Sequence, residues 1–145
     1  MTHNRLDFAS LMRERGFRAT PQRQMILDAI CDGQGHTTPE QIYQRVRAAA
    51  PAVNRATIYR TLDFLCELRL VVAIRVGDLT YYEIAGDEPH HHLVCRTCGR
   101  MTQVDHAMVA SFVEAIDRMH HFRIDMDHLG LFGLCEKCRP AEDTR

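Results

Sequence analysis

Two Cys-x-x-Cys pairs constrain the fold of this chain more than any other feature of its sequence. The pairs are Cys95 with Cys98 and Cys135 with Cys138, and 36 residues separate them. A two-residue spacer lets both sulfurs of a pair face one ion from a tight turn, and four thiolates fill a tetrahedral structural zinc site. The intervening residues are too many for one small finger, so they must fold into a unit whose ends meet. A rubredoxin-like iron centre or a pair of redox disulfides remains an alternative.

Composition limits the classes of protein to which the chain can belong. Its 145 residues, 46% of them hydrophobic, are enough for one domain or two small ones with a buried core. The absence of a long apolar run or a signal-peptide core predicts a cytoplasmic protein with no membrane partner. The cysteine pattern suits a reducing compartment, and the two lone cysteines, Cys31 and Cys66, are expected to be buried small hydrophobes.

Charge is distributed unevenly along the chain, although the net charge is only −1. Residues 1–85 contain 11 Arg against 9 acidic residues, whereas residues 86–145 contain 7 basic residues against 10 acidic ones. The chain is therefore not basic as a whole, and any nucleic-acid surface must be local to the first part.

Capping signals predict four short helices in the first part of the chain. A helix over residues 5–15 is followed by Thr20-Pro21, a good N-cap with proline at the first helical position. The sequence Thr38-Pro39-Glu40-Gln41 is a capping box that starts the third helix. Asn54 caps a fourth helix that extends to about Leu68. Apolar side chains on one face of this helix predict that its opposite face is free to contact a partner.

The fourth helix has the polarity expected of a DNA recognition helix. The N-terminal part of its outward face is small, polar or basic, and the C-terminal part is acidic, at Asp63 and Glu67. A hairpin follows, with strands at 71–76 and 79–84 around Gly77-Asp78. Helices and hairpin in this order predict a winged helix-turn-helix that inserts the N-terminal end of its last helix into DNA. A small helical domain with a solvated polar face is the plainer alternative.

The second part of the chain is predicted to be a small α/β unit. Strands are expected at 92–95, 100–104, 122–126 and 131–135, with an amphipathic helix at 108–119. The predicted class is thus α+β, with a winged-helix DNA-binding domain at 1–85, a hinge at 86–90 and a small α/β domain with the Cys₄ zinc site at 91–145.

Three consecutive histidines lie at the predicted hinge. In an extended chain His90 and His92 share one face and His91 takes the other. With a carboxylate such as Glu83 they would form a nitrogen and oxygen site that suits Fe(II), Mn(II), Zn(II) or Co(II). A merely polar turn would account for three surface histidines equally well.

Taken together, the motifs resemble the ferric uptake regulator family. They are Thr-Pro-Gln-Arg at 20–23, Ala-Thr-Ile-Tyr-Arg-Thr-Leu at 56–62, Tyr-Tyr-Glu at 81–83, His-His-His-Leu-Val-Cys-Arg-Thr-Cys-Gly at 90–99 and Cys-Glu-Lys-Cys at 135–138. The resemblance extends from about Leu6 to Arg139. It implies a homodimeric, metal-sensing repressor that binds a palindromic double-stranded DNA operator when its regulatory metal is bound. It also implies that residues 91–145 are the α/β dimerisation and metal-binding domain.

The resemblance also implies roles for individual residues. The two cysteine pairs match the family's structural zinc site. His36, Glu83, His90 and His92 match the ligands of its regulatory site, and Gln103 stands where many members carry an acidic fifth ligand. A further metal site of some members would involve His91 with Asp127 or His128.

We expect DNA contacts from the recognition helix and from the basic residues that precede it. Arg18, Tyr59 and Arg60 match positions that contact DNA in the family. The full predicted set is Arg18, Arg23, Asn54, Arg55, Thr57, Tyr59 and Arg60.

The ligand set favours Fe(II) as the regulatory metal, with Zn(II) or Mn(II) as alternatives. A zinc-responsive repressor would carry a cysteine near the end of the wing, and residues 79–89 contain none. A peroxide-responsive repressor would carry an Asp ligand where Gln103 stands. Neither enzymatic activity nor a small-molecule substrate is expected. A zinc deaminase would show a His-x-Glu string followed by Pro-Cys-x-x-Cys, and the sequence contains neither. A redox switch that releases zinc on oxidation is a third class, and it needs accessible, low-pKa thiolates.

Overall fold

The structure is a computed structural model that describes residues 7–33, 36–86, 89–124 and 128–140, except for the side chain of His128. These residues form two compact units, one up to Ala85 and one from Gly86 onward. The predicted hinge at 86–90 includes residues 87 and 88, which lie outside the described residues. The chain is α+β, as the sequence predicts. No helix in the described ranges has both the length and the apolar character needed to cross a membrane.

Local side-chain caps start the helices of the first unit. The helices are α1 (Phe8–Glu14), α2 (Pro21–Cys31), α3 (Pro39–Ala49) and α4 (Arg55–Glu67). At the start of α1 the Asp7 side chain accepts the Ser10 N–H. The side chains of Thr20, Thr38 and Asn54 each accept a hydrogen bond from the backbone three residues later. These bonds satisfy N–H groups that a helix leaves unpaired at its start, so α2, α3 and α4 begin where the sequence predicts.

The four helices share one apolar core. Ile30 of α2, Ile42 of α3 and Leu62 of α4 are fully buried, and Met12 attaches α1 to the same cluster. The lone cysteines differ from the prediction that they are buried: both pack against this core but are only half-buried. Each lies in the last turn of its helix, where the core gives way to the surface.

A two-stranded wing completes the first unit. Strands β1 (Val71–Val76) and β2 (Leu79–Ile84) pair antiparallel across Gly77-Asp78, and Gly77 has a φ of +60°. A positive φ at the first turn position is the reason glycine is favoured there. Thr37 and Tyr82 exchange backbone hydrogen bonds of 3.0 and 2.8 Å, which fix the segment before α3 beside β2.

The second unit contains a three-stranded sheet and one long helix, which comes in sequence between the second and third strands. Its elements are β3 (His90–Cys95), β4 (Met101–Asp105), α5 (His106–His120) and β5 (His128–Gly133). The strand order is β4-β3-β5, with β3 antiparallel to β4 and parallel to β5. Because parallel strands end at the same edge of a sheet, the two Cys-x-x-Cys turns that follow β3 and β5 are brought together.

One prediction for the second unit is wrong in detail. The strand predicted at 122–126 is absent over residues 122–124, and residues 125–127 lie outside the described residues. The amphipathic helix predicted at 108–119 is present as α5, and no side chain of this helix is buried. Periodicity identifies an apolar face but does not say which surface covers it.

Candidate metal centres and nucleic-acid interface

The four cysteine sulfurs form a cluster with the dimensions of a tetrahedral metal site. All four lie within 4.8 Å of one another, and the Cys98 and Cys135 sulfurs are 3.7 Å apart. Four Zn–S bonds of 2.3 Å in a tetrahedron require sulfur–sulfur distances of about 3.8 Å. All six cysteines are free thiols, so neither pair is a disulfide. The cluster therefore fits a closed structural zinc site.

Backbone hydrogen bonds hold both cysteine turns in shape. Gly99, at a φ of +71°, donates its N–H to the Cys95 carbonyl at 2.9 Å. In the second turn the N–H groups of Cys138 and Arg139 donate to the Cys135 carbonyl, each at 2.9 Å. The Cys135 N–H also donates to the Cys95 sulfur at 3.4 Å, which links the two turns directly.

The cysteine thiols of this cluster differ in acidity. Backbone N–H groups, above all that of Cys135, stabilise the Cys95 thiolate and lower its pKa to about 6. Contacts with the sulfurs of Cys135 and Cys98 raise the pKa of Cys138 to about 12. Four adjacent thiolates repel one another, so protons or a cation must neutralise part of their charge. Zinc binding would displace the remaining protons.

A histidine and a carboxylate meet within the first unit. The Nε2 atom of His36 lies 3.2 Å from an Oε2 atom of Glu83, whose side chain is almost fully buried. The Thr37–Tyr82 pairing creates this contact, because each ligand is the chain neighbour of a paired residue. Imidazole and carboxylate are ligands that Fe(II), Mn(II) and Zn(II) share.

Two further predicted ligands meet within the second unit. His90 and His92 lie on the same side of β3, with ring centroids 5.1 Å apart. Gln103 is exposed and pairs with His92 in the β3–β4 register. The structure therefore brings the predicted regulatory ligands together as two pairs, one in each unit, with the neutral amide of Gln103 beside the second pair.

His91 points the other way from its neighbours and is fully buried. Its Nδ1 atom accepts the Leu129 N–H at 3.1 Å, so its proton belongs on Nε2, which lies 3.0 Å from Nδ1 of His106. Burial lowers the pKa of His91, which favours the neutral form. The two residues proposed to share a metal with His91 are not available for comparison: Asp127 and the side chain of His128 lie outside the described residues.

His106 has a place in this unit that sequence reasoning missed. The β3–β4 register pairs His90 with Asp105, and this pairing places the next residue beside the His91 ring. Only the register of the hairpin could have revealed it, since His106 belongs to no recognisable motif.

The outward surface of α4 carries exposed basic and aromatic side chains. Tyr59 and Arg60 are exposed, as is Arg18 in the segment before α2. Asn54 and Thr57 instead bond to each other: the Asn54 Oδ1 atom accepts both the N–H and the hydroxyl of Thr57, at 2.9 and 3.0 Å. These two residues therefore shape the start of the helix, whereas Arg60 and Tyr59 remain available to a partner.

Two of the predicted DNA-binding arginines have partners in their own unit. The Arg23 guanidinium lies 3.9 Å from the centre of the Phe64 ring and donates to the Arg18 carbonyl at 2.6 Å. Arg55 forms an ion pair with Glu40. Arg23 thus fixes the backbone that carries Arg18.

Comparisons with known proteins identify relatives of this chain. Residues 14–132 match the sequence profile of the ferric uptake regulator family. The chain is 31% identical over 134 residues to the ferric uptake regulation protein of Campylobacter jejuni subsp. jejuni, covering 90% of this chain and 85% of that protein. Identity to the ferric uptake regulation protein of Bacillus subtilis is 30% over 145 residues, covering 96% and 97%. The structure of the ferric uptake regulator from Pseudomonas aeruginosa with manganese superimposes with a TM-score of 0.72 at 27% identity, covering 88% and 96%.

Proposed function

This chain belongs to the ferric uptake regulator family, and from that premise we propose that it is a metal-dependent regulator of transcription. In this proposal it acts in the cytoplasm as a homodimer that binds a palindromic DNA operator and represses transcription. A regulatory divalent metal, with Fe(II) favoured, controls the binding, and a zinc ion on the four cysteines has a structural role. The protein binds its partners and catalyses no reaction.

The exposed surface of α4 supports the DNA-binding part of the proposal. Arg60 and Tyr59 project from a helix whose N-terminal end carries the positive end of the helix dipole. The acidic residues Asp63 and Glu67 are exposed at the other end of α4 and would be repelled by phosphate. A helix with this polarity is suited to enter a groove by its N-terminal end, with Arg18 adding a backbone contact outside it.

The observation that best supports metal control is the contact between His36 and the buried Glu83 carboxylate. A buried carboxylate is costly unless a cation or strong donors neutralise it. We propose that this pair and the His90–His92 pair bind one metal ion in the active repressor. Since the pairs belong to different units, metal binding would select the arrangement of units that fits the operator.

Exposed apolar side chains of the second unit support the homodimer. Leu93, Leu131 and Phe132 of the sheet are exposed, as are Phe112 and Met119 of α5. The sheet residues border a groove of about 400 Å³. Exposed large apolar side chains that lie together are typical of interaction sites. We propose that a second copy of the chain covers it.

The ligand types do not select one regulatory metal, because that choice depends on coordination geometry and on metal supply. Two or three imidazoles with one carboxylate suit Fe(II), Mn(II) and Zn(II) alike. Gln103, in place of an acidic ligand, reduces the negative charge beside His92. Zinc-responsive and peroxide-responsive regulation are therefore the competing versions of this function.

An anaerobic metal titration of DNA binding tests the proposal. The zinc-loaded protein would first select duplexes from a random pool in the presence of Mn(II). Affinity for a selected duplex is then measured with Fe(II), Mn(II) and Zn(II), and without added metal. We expect the preferred metal to raise affinity at least about tenfold, the lower part of the range for allosteric coupling.

Removing one regulatory ligand should abolish this response. The variant His90→Ala should keep the cysteine zinc and bind the selected duplex weakly, with no gain on adding metal. The control His120→Ala removes an exposed histidine from α5 and should respond as the wild type does. If no DNA sequence were enriched in the presence of any of these metals, the proposed DNA regulation would be refuted. A normal metal response of His90→Ala would refute only the proposed regulatory site.

A further inference from the structure

Arg55, the first residue of α4, is held more rigidly than an exposed arginine usually is. Its Nε and Nη2 atoms donate to the two carboxylate oxygens of Glu40, at 3.1 and 3.0 Å. The Tyr43 ring lies under the guanidinium, 4.3 Å from its Cζ atom, and Tyr43 itself is buried. Gln44 donates to the same carboxylate at 2.7 Å, so both members of the ion pair have fixed positions.

This arrangement leaves one edge of the guanidinium unused by these contacts. A guanidinium has five N–H donors in a planar fork. Glu40 takes the edge formed by Nε and Nη2, and the outer edge retains N–H groups on Nη1 and Nη2 that point in the same direction. The arginine side chain is more than half exposed, at 57%, so a partner can reach this edge.

The outer edge matches two adjacent acceptors, and DNA offers such a pair on guanine, at O6 and N7 in the major groove. Two phosphate oxygens are the other candidate. Glu40 argues against phosphate, because its carboxylate cancels the arginine charge and would itself be repelled. Binding to a neutral base edge requires aligned donors and gains little from net charge. An arginine held by a carboxylate provides aligned donors with little net charge.

The position of Arg55 places it on the surface that the proposed function uses. It lies one helical turn before Tyr59, and both residues border the same small cleft with Tyr43 and Glu40. A rigid arginine also loses little conformational freedom on binding, so its contacts favour the correct sequence more than a mobile arginine would.

We propose that Arg55 is a specificity-determining residue that binds a guanine edge in the operator, and that Glu40 and Tyr43 are the residues that position it. The inference rests on the proposed DNA-binding function. Arg55 gives sequence preference, whereas Arg18 and the helix dipole give affinity for any duplex.

The test compares affinities for a duplex selected by the wild-type protein and for a scrambled duplex, on full-length zinc-loaded protein with Mn(II). The ratio of the two affinities measures specificity. Arg55→Ala should lower this ratio on the order of tenfold, the effect of losing one bidentate base contact. Arg55→Lys keeps the charge but not the paired donors, so it should lower the ratio to a similar extent.

Glu40→Gln separates a positioning role from a structural one. It should lower the specificity ratio while affinity for the scrambled duplex is kept or increased, since a negative charge is removed. In the double variant with Arg55→Ala, it should lower the ratio no further, because Glu40 acts through Arg55. The control Glu67→Gln removes the same charge from the far end of α4 and should leave the ratio unchanged.

A duplex with 7-deazaguanine identifies the contacted group, since this base lacks the N7 acceptor. The wild type should lose affinity at one guanine per half-site, and Arg55→Ala should be indifferent to the change at that guanine. An equal loss of affinity for both duplexes in Arg55→Ala, with a smaller salt dependence, would indicate phosphate and overturn the inference. An unchanged ratio in Arg55→Ala would overturn it too, while leaving the proposed function intact if the wild type still selects a sequence.

Discussion

The two units of this chain are stabilised in different ways. In the first unit the apolar faces of α2, α3 and α4 meet in a core that contains Ile30, Ile42 and Leu62 with no exposed surface. In the second unit the buried side chains of the described residues are Val94, Cys95 and two histidines, and α5 buries none. The first unit is thus a conventional small domain, whereas the described residues of the second unit bury few side chains of their own.

This difference offers a reason why the cysteine cluster and the exposed apolar side chains occur in the same unit. A small domain that buries little apolar surface needs a metal, a disulfide or a partner subunit to be stable. The second unit has four cysteines positioned to bind a metal and exposed apolar side chains suited to contact a partner subunit. The comparison predicts that the two units respond to different perturbations. Loss of the metal should have the largest effect, a cavity in the core of the first unit a smaller one, and a change on the exposed apolar surface the smallest.

The largest effect should follow removal of the zinc. Structural zinc contributes on the order of 10 kcal/mol to small domains, more than a small unit can lose. Cys138→Ser leaves three thiolates and should abolish protection of the second unit in hydrogen exchange, while α2 to α4 remain protected. Cys31→Ser, which removes a half-buried lone thiol, is the control. Retained protection of β3 and β5 in the metal-stripped variant would show that the cluster is not structural.

A smaller effect is expected from a cavity in the core of the first unit. Leu62→Ala truncates a fully buried side chain and should lower the free energy of unfolding of this unit by about 2–5 kcal/mol. Leu79→Ala truncates an exposed leucine of the wing and should cost no more than about 0.5 kcal/mol. Denaturant titrations of both variants measure this contrast. Equal effects would contradict the core assignment, and the zinc content should not change in either variant.

The smallest effect concerns the surface that the second copy is proposed to cover. Phe112 is 56% exposed, so Phe112→Ser removes little packing within its own chain. It should weaken the dimer roughly tenfold, since truncating an interface aromatic commonly costs more than 1 kcal/mol. Sedimentation equilibrium gives the dissociation constant, and Ser111→Ala, on the adjacent exposed position, is the control. Dimer affinity equal to that of the wild type would place the interface elsewhere.

Features that depend on local chemistry were predictable from the sequence. Thr20, Thr38 and Asn54 bond to groups three residues away, so the starts of α2, α3 and α4 follow from short strings of letters. The cysteine cluster was predictable for a similar reason. Each two-residue spacer determines one local turn, and two such turns are typical of a four-thiolate metal site.

Features that depend on distant contacts could not be read in this way. Nothing in the sequence near Arg23 indicates that its guanidinium packs on Phe64, and the same is true of Arg55 and Glu40. The pairing of His91 with His106 required the β3–β4 register. The predicted strand is absent over residues 122–124, because alternation describes a half-buried segment but does not supply a neighbouring strand.

The parallel pairing of β3 with β5 also sets an order of events during synthesis. Cys98 and Cys135 are 37 positions apart, so at about 5–20 residues per second their emergence from the ribosome is separated by roughly two to seven seconds. During that interval the first unit and the β3–β4 hairpin can fold from contacts close in sequence, whereas the ion has only two thiolates to bind. For the zinc ion that we propose on these cysteines, capture is therefore a late step in the maturation of each chain. A shortage of zinc would then leave newly made molecules with a finished winged helix and an incomplete second unit.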